Sequence, residues 1–260
     1  MEFSRFQDQS EGPRKRRAFS GHAMTLPAVA RRAERGERFR TSPMPSPLRA
    51  LIFDFDGLIL DTEAPVYEAW RDDYRAHGHD LPLEVYAACV GSDFNRFDPK
   101  SHLESLVGSA IDWPERDLWR ERNALERVKQ LAPLPGVLAL LDAADAAGLP
   151  RAVASSSPRS WVEGHLTRLG LLDRFTLTRC LDDVAAPKPA PDLFLAAAAG
   201  LGVAPAETIV FEDSRNGLLA ALAAGCPCLI VPNRITAHLD FTGALDVLGS
   251  LEEVDLRGMG

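Results

Sequence analysis

The chain has 260 residues, of which 46% are hydrophobic and 25% are charged, and its formal net charge is −8. This composition is typical of a soluble globular enzyme, and the length allows one large domain or a domain with a smaller companion. The sequence contains no apolar run of about 18 residues, so we expect no membrane-spanning helix and no membrane partner.

The charge is unevenly distributed along the chain. Residues 1–49 contain 11 Lys and Arg against 5 Asp and Glu, whereas the rest contains 18 against 32. An acidic body argues against nucleic acid as its partner. Residues 1–47 show no sustained apolar periodicity, so we predict a basic, disordered extension.

Three interpretations of this extension stay open: a basic interaction arm, an Arg-rich transit peptide, or a translation start placed too far upstream. We favour Met44 as the natural start. No apolar segment typical of a secretory signal precedes a small-residue cleavage site. The four cysteines are scattered and indicate reduced core thiols, so we expect a cytoplasmic protein.

The first predicted strand is followed directly by two carboxylates and a glycine. Residues 51–53 form an apolar run that suits a parallel strand covered on both faces. Asp54 and Asp56 are two residues apart, so an extended backbone directs both side chains to one side. Gly57 then permits a tight turn. Because two close carboxylates repel each other, the pair requires a hard metal ion or a shared proton, unless both acids are solvated.

A helical segment follows this strand. Val66, Trp70 and Tyr74 recur at four-residue spacing, which predicts a helix, and the clearest later helical stretch is residues 118–128. We therefore predict a helical domain over residues 63–133, inserted between the first strand and the rest of the sheet.

From residue 134 onwards, helical and strand-like segments alternate as in a doubly wound sheet. The predicted strands are 151–154, 175–178, 208–211 and 228–231, and the predicted helices are 137–147, 158–169, 191–200 and 215–224. Residues 48–62 and 134–260 are thus predicted to form one α/β domain with a Rossmann-like parallel sheet.

Three groups of polar residues lie either at the end of a predicted strand or just before a predicted helix. These are the positions where open α/β sheets bind ligands. The Ser155 hydroxyl and the Ser156 amide precede a helix and suit phosphate oxygens, although a serine run also suits a simple turn. Lys188 lies between two prolines, whose stiff backbone would fix its ammonium group. Glu212 and Asp213 follow an apolar strand, where a solvated pair is the commoner outcome for an isolated motif.

In their order along the chain, these segments resemble the four motifs of the haloacid dehalogenase superfamily. The first reads Asp-Phe-Asp-Gly-Leu-Ile-Leu-Asp-Thr-Glu from Asp54, and the third reads Lys-Pro-Ala-Pro-Asp from Lys188. Both look like the β-phosphoglucomutase-like phosphatase branch of subfamily I. The resemblance covers residues 50–250 and implies a Rossmann-like core whose active site is covered by the inserted α-helical cap, although a helical subdomain without motion is the simpler alternative.

The resemblance implies a Mg²⁺-dependent phosphatase that hydrolyses a small phosphorylated metabolite, such as a sugar phosphate, through an aspartyl-phosphate. Asp54 would be the nucleophile and Asp56 the general acid and base. Asp54, Asp56 through its carbonyl, and Asp213 would hold Mg²⁺, with Glu212 either as a further ligand or as an acid that supports the ligands. In addition, Ser155, Ser156 and Lys188 would bind the transferring phosphate.

Three positions in the predicted cap are candidates for recognising the leaving group: Glu63, Asn95 and Arg96. A sugar phosphomutase is the main alternative, and a non-catalytic scaffold is a third. Mutases of this branch have a histidine on the first cap helix shortly after the Asp-Thr pair, where this chain has Val66. Valine forms no hydrogen bond, so we expect water as the acceptor. The sequence leaves monomer and homodimer both open.

Overall fold

The structure, a computed structural model, describes residues 47–87 and 97–256. The predictions for the basic extension up to residue 46, and for Met44, Asn95 and Arg96, lie outside the described residues. Within them, an α/β core is interrupted after its first strand by a group of helices.

A six-stranded parallel sheet forms the centre of the described residues. Its strands are β1 (Ala50–Phe53), β2 (Arg151–Ala154), β3 (Leu177–Arg179), β4 (Thr208–Glu212), β5 (Cys228–Ile230) and β6 (Asp246–Val247). They are ordered β3-β2-β1-β4-β5-β6, and Phe53 of β1 pairs with Val153 on one side and Phe211 on the other. Residues that follow β1, β2 and β4 therefore leave the sheet at the same edge.

Eight α-helices occur in the described residues. They are α1 (Glu63–Ala76), α2 (Leu83–Tyr86), α3 (Pro99–Val107), α4 (Trp113–Val128), α5 (Val137–Ala146), α6 (Arg159–Arg168), α7 (Asp192–Leu201) and α8 (Arg215–Ala224). The first four make up the insertion, and α5 to α8 alternate with the strands. The predicted Rossmann-like α/β fold is confirmed, while the predicted domain boundaries stay a prediction.

Two details of the sequence prediction were wrong. The third strand was placed at residues 175–178, but β3 begins two residues later, because a 3₁₀ turn over Leu172–Arg174 precedes it and Phe175 packs into the core. The edge strand β6 was not predicted at all. It has only two residues, both half-buried, which is too short for a periodic pattern.

Each face of the sheet has its own hydrophobic layer. Phe53 and Phe211 face a cluster that includes residues of α5 and α6, whereas Ile52 and Val210 face a cluster with residues of α7 and α8. Consecutive residues of a strand point to opposite faces of the sheet. Because both faces are covered, all four residues of β1 are buried. This explains the continuous apolar run at the start of the motif.

The inserted helices enclose a smaller hydrophobic cluster, called here the cap cluster. Its buried members are Tyr67, Tyr74, Leu81, Tyr86, Leu103 and Ile235. The last of these does not belong to the insertion but to the loop that follows β5. None of the helices in the described ranges is both long and apolar enough to cross a membrane.

A buried ion cluster joins α1 to α4. Asp73 is fully buried and accepts hydrogen bonds from Nε of Arg116 at 2.6 Å and from Nη1 of Arg120 at 3.2 Å. The Arg120 guanidinium also lies 3.5 Å from the centre of the Trp70 ring. Removal of the Asp73 charge would leave the buried Arg120 with Asp117 as its remaining ion-pair partner.

We expect Asp73→Asn to lower the free energy of unfolding by about 3 kcal/mol, because the buried Arg120 and the partly buried Arg116 lose the carboxylate that they share. Asp72→Asn is the matched control, since Asp72 binds Arg127 of α4 with both side chains about one-third exposed. That change should cost less than about 1 kcal/mol. Urea denaturation measures both values, and equal losses would contradict the structural importance of the buried cluster.

Candidate active site

The polar residues at the carboxyl edge of the sheet line a cavity of about 400 Å³. All predicted site residues within the described ranges lie on its wall: Asp54, Asp56, Glu63, Ser155, Ser156, Lys188, Glu212 and Asp213. They come from the ends of β1, β2 and β4, from the loop before α7 and from the start of α1. The parallel register brings them together although they are up to 159 residues apart in the chain.

Three buried carboxylates meet around one ammonium group. Asp54, Glu212 and Asp213 can each place an oxygen within 4.8 Å of the others. Lys188 Nζ donates to Oδ1 of Asp54 and, at 2.7 Å, to Oε1 of Glu212. Burial disfavours the Lys188 charge, but the two carboxylates outweigh it and raise the pKa of Lys188. One positive charge therefore faces three potential negative charges.

Two of these acids, Asp54 and Asp213, are correspondingly hard to ionise. Burial, followed by the charges of Glu212 and Asp56, raises the pKa of Asp54 to about 8 despite the opposing effect of Lys188. Burial, followed by the charges of Glu212, Asp54 and Glu63, also raises the pKa of Asp213 well above its usual value. A divalent cation would favour the ionised forms, and carboxylate oxygens are the ligands that Mg²⁺ prefers. The donor set therefore fits such an ion.

Glu212 already has protein partners for both of its oxygens. Oε1 binds Lys188, and Oε2 accepts hydrogen bonds from the amides of Asp213 and Ser214 and from the Ser214 hydroxyl, at 2.9–3.0 Å. In α8, Gly217 lies so close that a Cβ there would fall 1.8 Å from the carboxylate. These contacts favour the supporting role for Glu212 over direct coordination.

The side chain of Asp56 lies outside the metal-suited cluster and is held by four donors. Oδ1 accepts from the Thr62 hydroxyl and from Nε1 of Trp161, both at 2.9 Å. Oδ2 accepts from the hydroxyls of Ser157 at 2.6 Å and Ser155 at 3.2 Å. The sequence reasoning named neither Thr62, Ser157 nor Trp161 as a partner of Asp56.

The serine run is arranged around the neighbouring charged residues. Ser155 is buried and its Oγ accepts a hydrogen bond from the Ser157 amide at 3.0 Å while donating to Asp56. Ser156 Oγ accepts from the backbone amide of Lys188 at 3.2 Å, which helps to place that lysine. Their predicted role in binding phosphate stays a prediction.

Glu63 brings an acid to the cavity from the inserted helices, as the first residue of α1. Burial, with smaller contributions from the charges of Asp56 and Asp61, raises the pKa of Glu63 to about 7. A carboxyl group that is part neutral near pH 7 can both donate and accept a hydrogen bond. This property suits contact with a hydroxylated leaving group, and Val66 lines the same side of the cavity.

Asp213 is supported by a residue that the sequence gave no reason to choose. Asn233, in the loop after β5, donates from Nδ2 to Oδ2 of Asp213 at 2.7 Å. Gly57, with φ of +84°, lies directly against this pair, and a Cβ there would come within 2.4 Å of the carboxylate oxygen. Gly57 is thus required both by its turn and by the close approach of Asp213.

A comparison with protein-family models agrees with this geometry. Residues 48–225 match the model described as haloacid dehalogenase-like hydrolase. The chain belongs to this family. The resemblance seen in the motifs is thereby confirmed, and the matched range begins just before β1 and ends just after α8.

Individual relatives of this hydrolase are named as phosphatases. The chain is 44% identical to YhcW of Bacillus subtilis, a protein named as a candidate phosphatase, over 80% of this chain and 94% of the relative. It is 35% identical to the fructose-1-phosphate phosphatase YqaB of Escherichia coli, over 67% of this chain and 92% of that protein. The predicted class of phosphoric monoester hydrolase is confirmed at this level.

A solved structure of a relative has the same fold. CbbY of Rhodobacter sphaeroides, in complex with xylulose-(1,5)bisphosphate, superposes with a TM-score of 0.59 at 28% identity. The superposition covers 82% of this chain and 99% of CbbY. This hydrolase therefore shares its fold with an enzyme structure that contains a sugar bisphosphate.

We expect Gly217→Ala to lower the free energy of unfolding by about 1–3 kcal/mol and to reduce phosphatase activity, because its methyl group displaces the Glu212 carboxylate that binds Lys188. Gly164→Ala is the matched control in α6, where a Cβ meets nothing within 4 Å. That change should stabilise the protein by up to about 1 kcal/mol through helix propensity. Thermal melting and a phosphate-release assay test both, and similar behaviour of the two variants would contradict the close contact.

Proposed function

We propose that the chain is a Mg²⁺-dependent phosphatase that hydrolyses a small phosphorylated metabolite through an aspartyl-phosphate on Asp54. The observation that supports this most directly is the placement of Asp54: a buried carboxylate at the end of β1, bonded to Lys188 and next to Asp213 in a cavity open to ligand. A scaffold without catalysis would have no need for three buried acids around one lysine, which are costly to desolvate.

The proposed reaction has two halves. A carboxylate oxygen of Asp54 attacks phosphorus as the bond to the leaving oxygen breaks, and Asp56 gives a proton to that oxygen. Water then attacks the phosphorus of the aspartyl-phosphate, Asp56 takes the water proton, and phosphate leaves with Asp54 restored. Asp56 therefore starts protonated in each turnover and is protonated again at its end.

The surrounding residues have distinct parts in this scheme. Asp54, Asp213 and the Asp56 carbonyl would hold Mg²⁺, which supplies Lewis-acid stabilisation of charge on the phosphate oxygens. Lys188 stabilises the charge of the transferring phosphoryl group, and its bond to Glu212 keeps it in place when Asp54 is occupied by phosphorus. Ser155 and Ser156 lie on the same cavity wall and are proposed to bind the remaining oxygens.

Asp56 has to reach the leaving oxygen from a position in which four donors hold it. Two of them, Thr62 and Trp161, bind Oδ1, while the serines bind Oδ2. We propose that Oδ1 exchanges these two partners for the leaving oxygen. Thr62 immediately precedes α1. One of the two partners that Oδ1 would release therefore lies at the point where the chain enters the inserted helices.

The substrate class is proposed to be a sugar phosphate or a related compound. The relative YqaB is named for fructose 1-phosphate, and the CbbY structure contains a sugar bisphosphate. The protonatable Glu63 suits a hydroxyl group of such a leaving group. We further propose a cytoplasmic location, because the cysteines in the described ranges, Cys180, Cys226 and Cys228, are all buried and free.

Asp54→Asn should reduce phosphate release from fructose 1-phosphate by at least about 1,000-fold, because the amide is no nucleophile while its volume is nearly unchanged. Excess chelator should abolish the wild-type activity, and added Mg²⁺ should restore it. Asp142→Asn, on an exposed side chain of α5, is the control and should retain full activity. Substantial turnover by the Asp54 variant with an unchanged circular dichroism spectrum would overturn the mechanism.

Hydrolysis should exceed phosphoryl transfer to a second sugar hydroxyl. Val66, which lines the cavity where mutases of this branch have histidine, forms no hydrogen bond that would orient a sugar acceptor. Phosphorus NMR of the enzyme with Mg²⁺, β-glucose 1-phosphate and a glucose 1,6-bisphosphate primer follows both products in one sample. Glucose 6-phosphate appearing faster than inorganic phosphate would establish the mutase instead.

A further inference from the structure

The loop after β5 contacts both the acid cluster and the interior of the inserted helices within four residues. We propose that residues Asn233 to Thr236 mechanically couple the orientation of Asp213 to the seating of the cap, with Asn233 and Ile235 as positioning residues. The proposal rests on the Mg²⁺ site of the proposed function, to which Asp213 contributes.

The first observation is the fixed side chain of Asn233. Its Nδ2 donates to Asp213 at 2.7 Å, while its Oδ1 accepts from the amides of Ile235 at 2.8 Å and Thr236 at 3.1 Å. In addition, the backbone amide of Asn233 donates to the Thr236 hydroxyl at 3.1 Å. The side chain is thus held at both ends, so a movement of the backbone at Ile235 also moves the group that binds Asp213.

The second observation is the position of Ile235. It follows β5 and therefore belongs to the α/β core, yet its side chain is fully buried in the cap cluster with Tyr67, Tyr86 and Leu103. Every other buried member of this cluster belongs to the insertion. Among the described residues, Ile235 is therefore the buried member that the core contributes to the cap cluster.

Two further contacts surround this anchor. Arg234 donates to Oε1 of Glu68 in α1 at 3.1 Å, and its guanidinium lies 5.7 Å from the centre of the Tyr67 ring. The side chains of Arg234 and Glu68 are both partly exposed, so their ion pair adds little stability. Its main effect is to orient the loop against α1. On the other side, Thr236 is buried and lines the active-site cavity.

The geometry leaves little room for Asp213 to adjust independently. Gly57 packs against both members of the Asp213–Asn233 pair, with a Cβ position 2.4 Å from the carboxylate oxygen and 2.8 Å from Nδ2. If the cap moves and shifts Ile235, Asp213 therefore cannot follow Asn233 freely, and the hydrogen bond between Asn233 and Asp213 changes. By thermodynamic reciprocity, a cation bound at Asp213 then also favours the seated cap.

The affinity for Mg²⁺ tests this coupling directly, measured by calorimetric titration of the metal-free full chain. Partners that orient metal ligands typically change metal affinity 10- to 100-fold, so Asn233→Ala should raise the Kd for Mg²⁺ about 10-fold. Ile235→Ala, which touches no ligand, should raise it about fivefold, within the usual range of coupling between sites.

Leu103→Ala is the matched control, because it removes a fully buried aliphatic side chain from the same cap cluster but lies on α3, away from the acid cluster. It should lower the melting temperature as Ile235→Ala does and change the Kd less than twofold. The milder Ile235→Val should raise the Kd in the same direction if the alanine variant does not fold.

Hydrogen exchange provides an independent readout that needs no turnover. Mg²⁺ should slow amide exchange in α1 of the wild type, and this effect should be lost in Ile235→Ala and kept in Leu103→Ala. An unchanged Kd for both Ile235 variants, or equal changes in Ile235→Ala and Leu103→Ala, would overturn the coupling while leaving the phosphatase proposal intact. A wild type that binds no Mg²⁺ would overturn both.

Discussion

The structure depends on the burial of three carboxylates against a single ammonium group at one edge of a parallel sheet. Burial makes each charge costly, and Lys188 compensates only part of that cost. The hydrogen bonds around Glu212, the glycine at position 217 and the glycine at position 57 all hold this cluster in a closely packed arrangement. The α/β core provides the rigid edge on which such an arrangement can be maintained.

Much of this could be predicted from the sequence, because the signals are local. The buried strands appear as short apolar runs, and the acids, serines and lysine follow them at fixed points of the chain. The register of β1 with β2 and β4 then forces these residues together. The edge strand β6 escaped prediction because two half-buried residues contain no periodicity. The start of β3 was misplaced because Phe175 is apolar and buried in the core but lies before the strand.

The residues that the sequence did not indicate act over long separations. Trp161 binds a carboxylate 105 positions away, and Asn233 binds one 20 positions away through a loop without a regular pattern. Nothing in a single sequence distinguishes such a tryptophan from an ordinary core residue at the start of a helix. Likewise, Ile235 looks like one more apolar residue, and only the fold reveals that it packs with the inserted helices.

The position of Ile235 also limits how this protein can be recombined with its relatives. Suppose that the helical insertion alone were exchanged with that of a relative, joined at the two points where the chain passes between the core and the insertion. Tyr67, Tyr86 and Leu103 would move together with the insertion, but the residue that packs between them, Ile235, belongs to the core and would not. The natural unit of exchange is therefore not the contiguous insertion alone. It includes the loop after β5, even though that loop is separated from α4 by about one hundred residues of sequence and by most of the sheet.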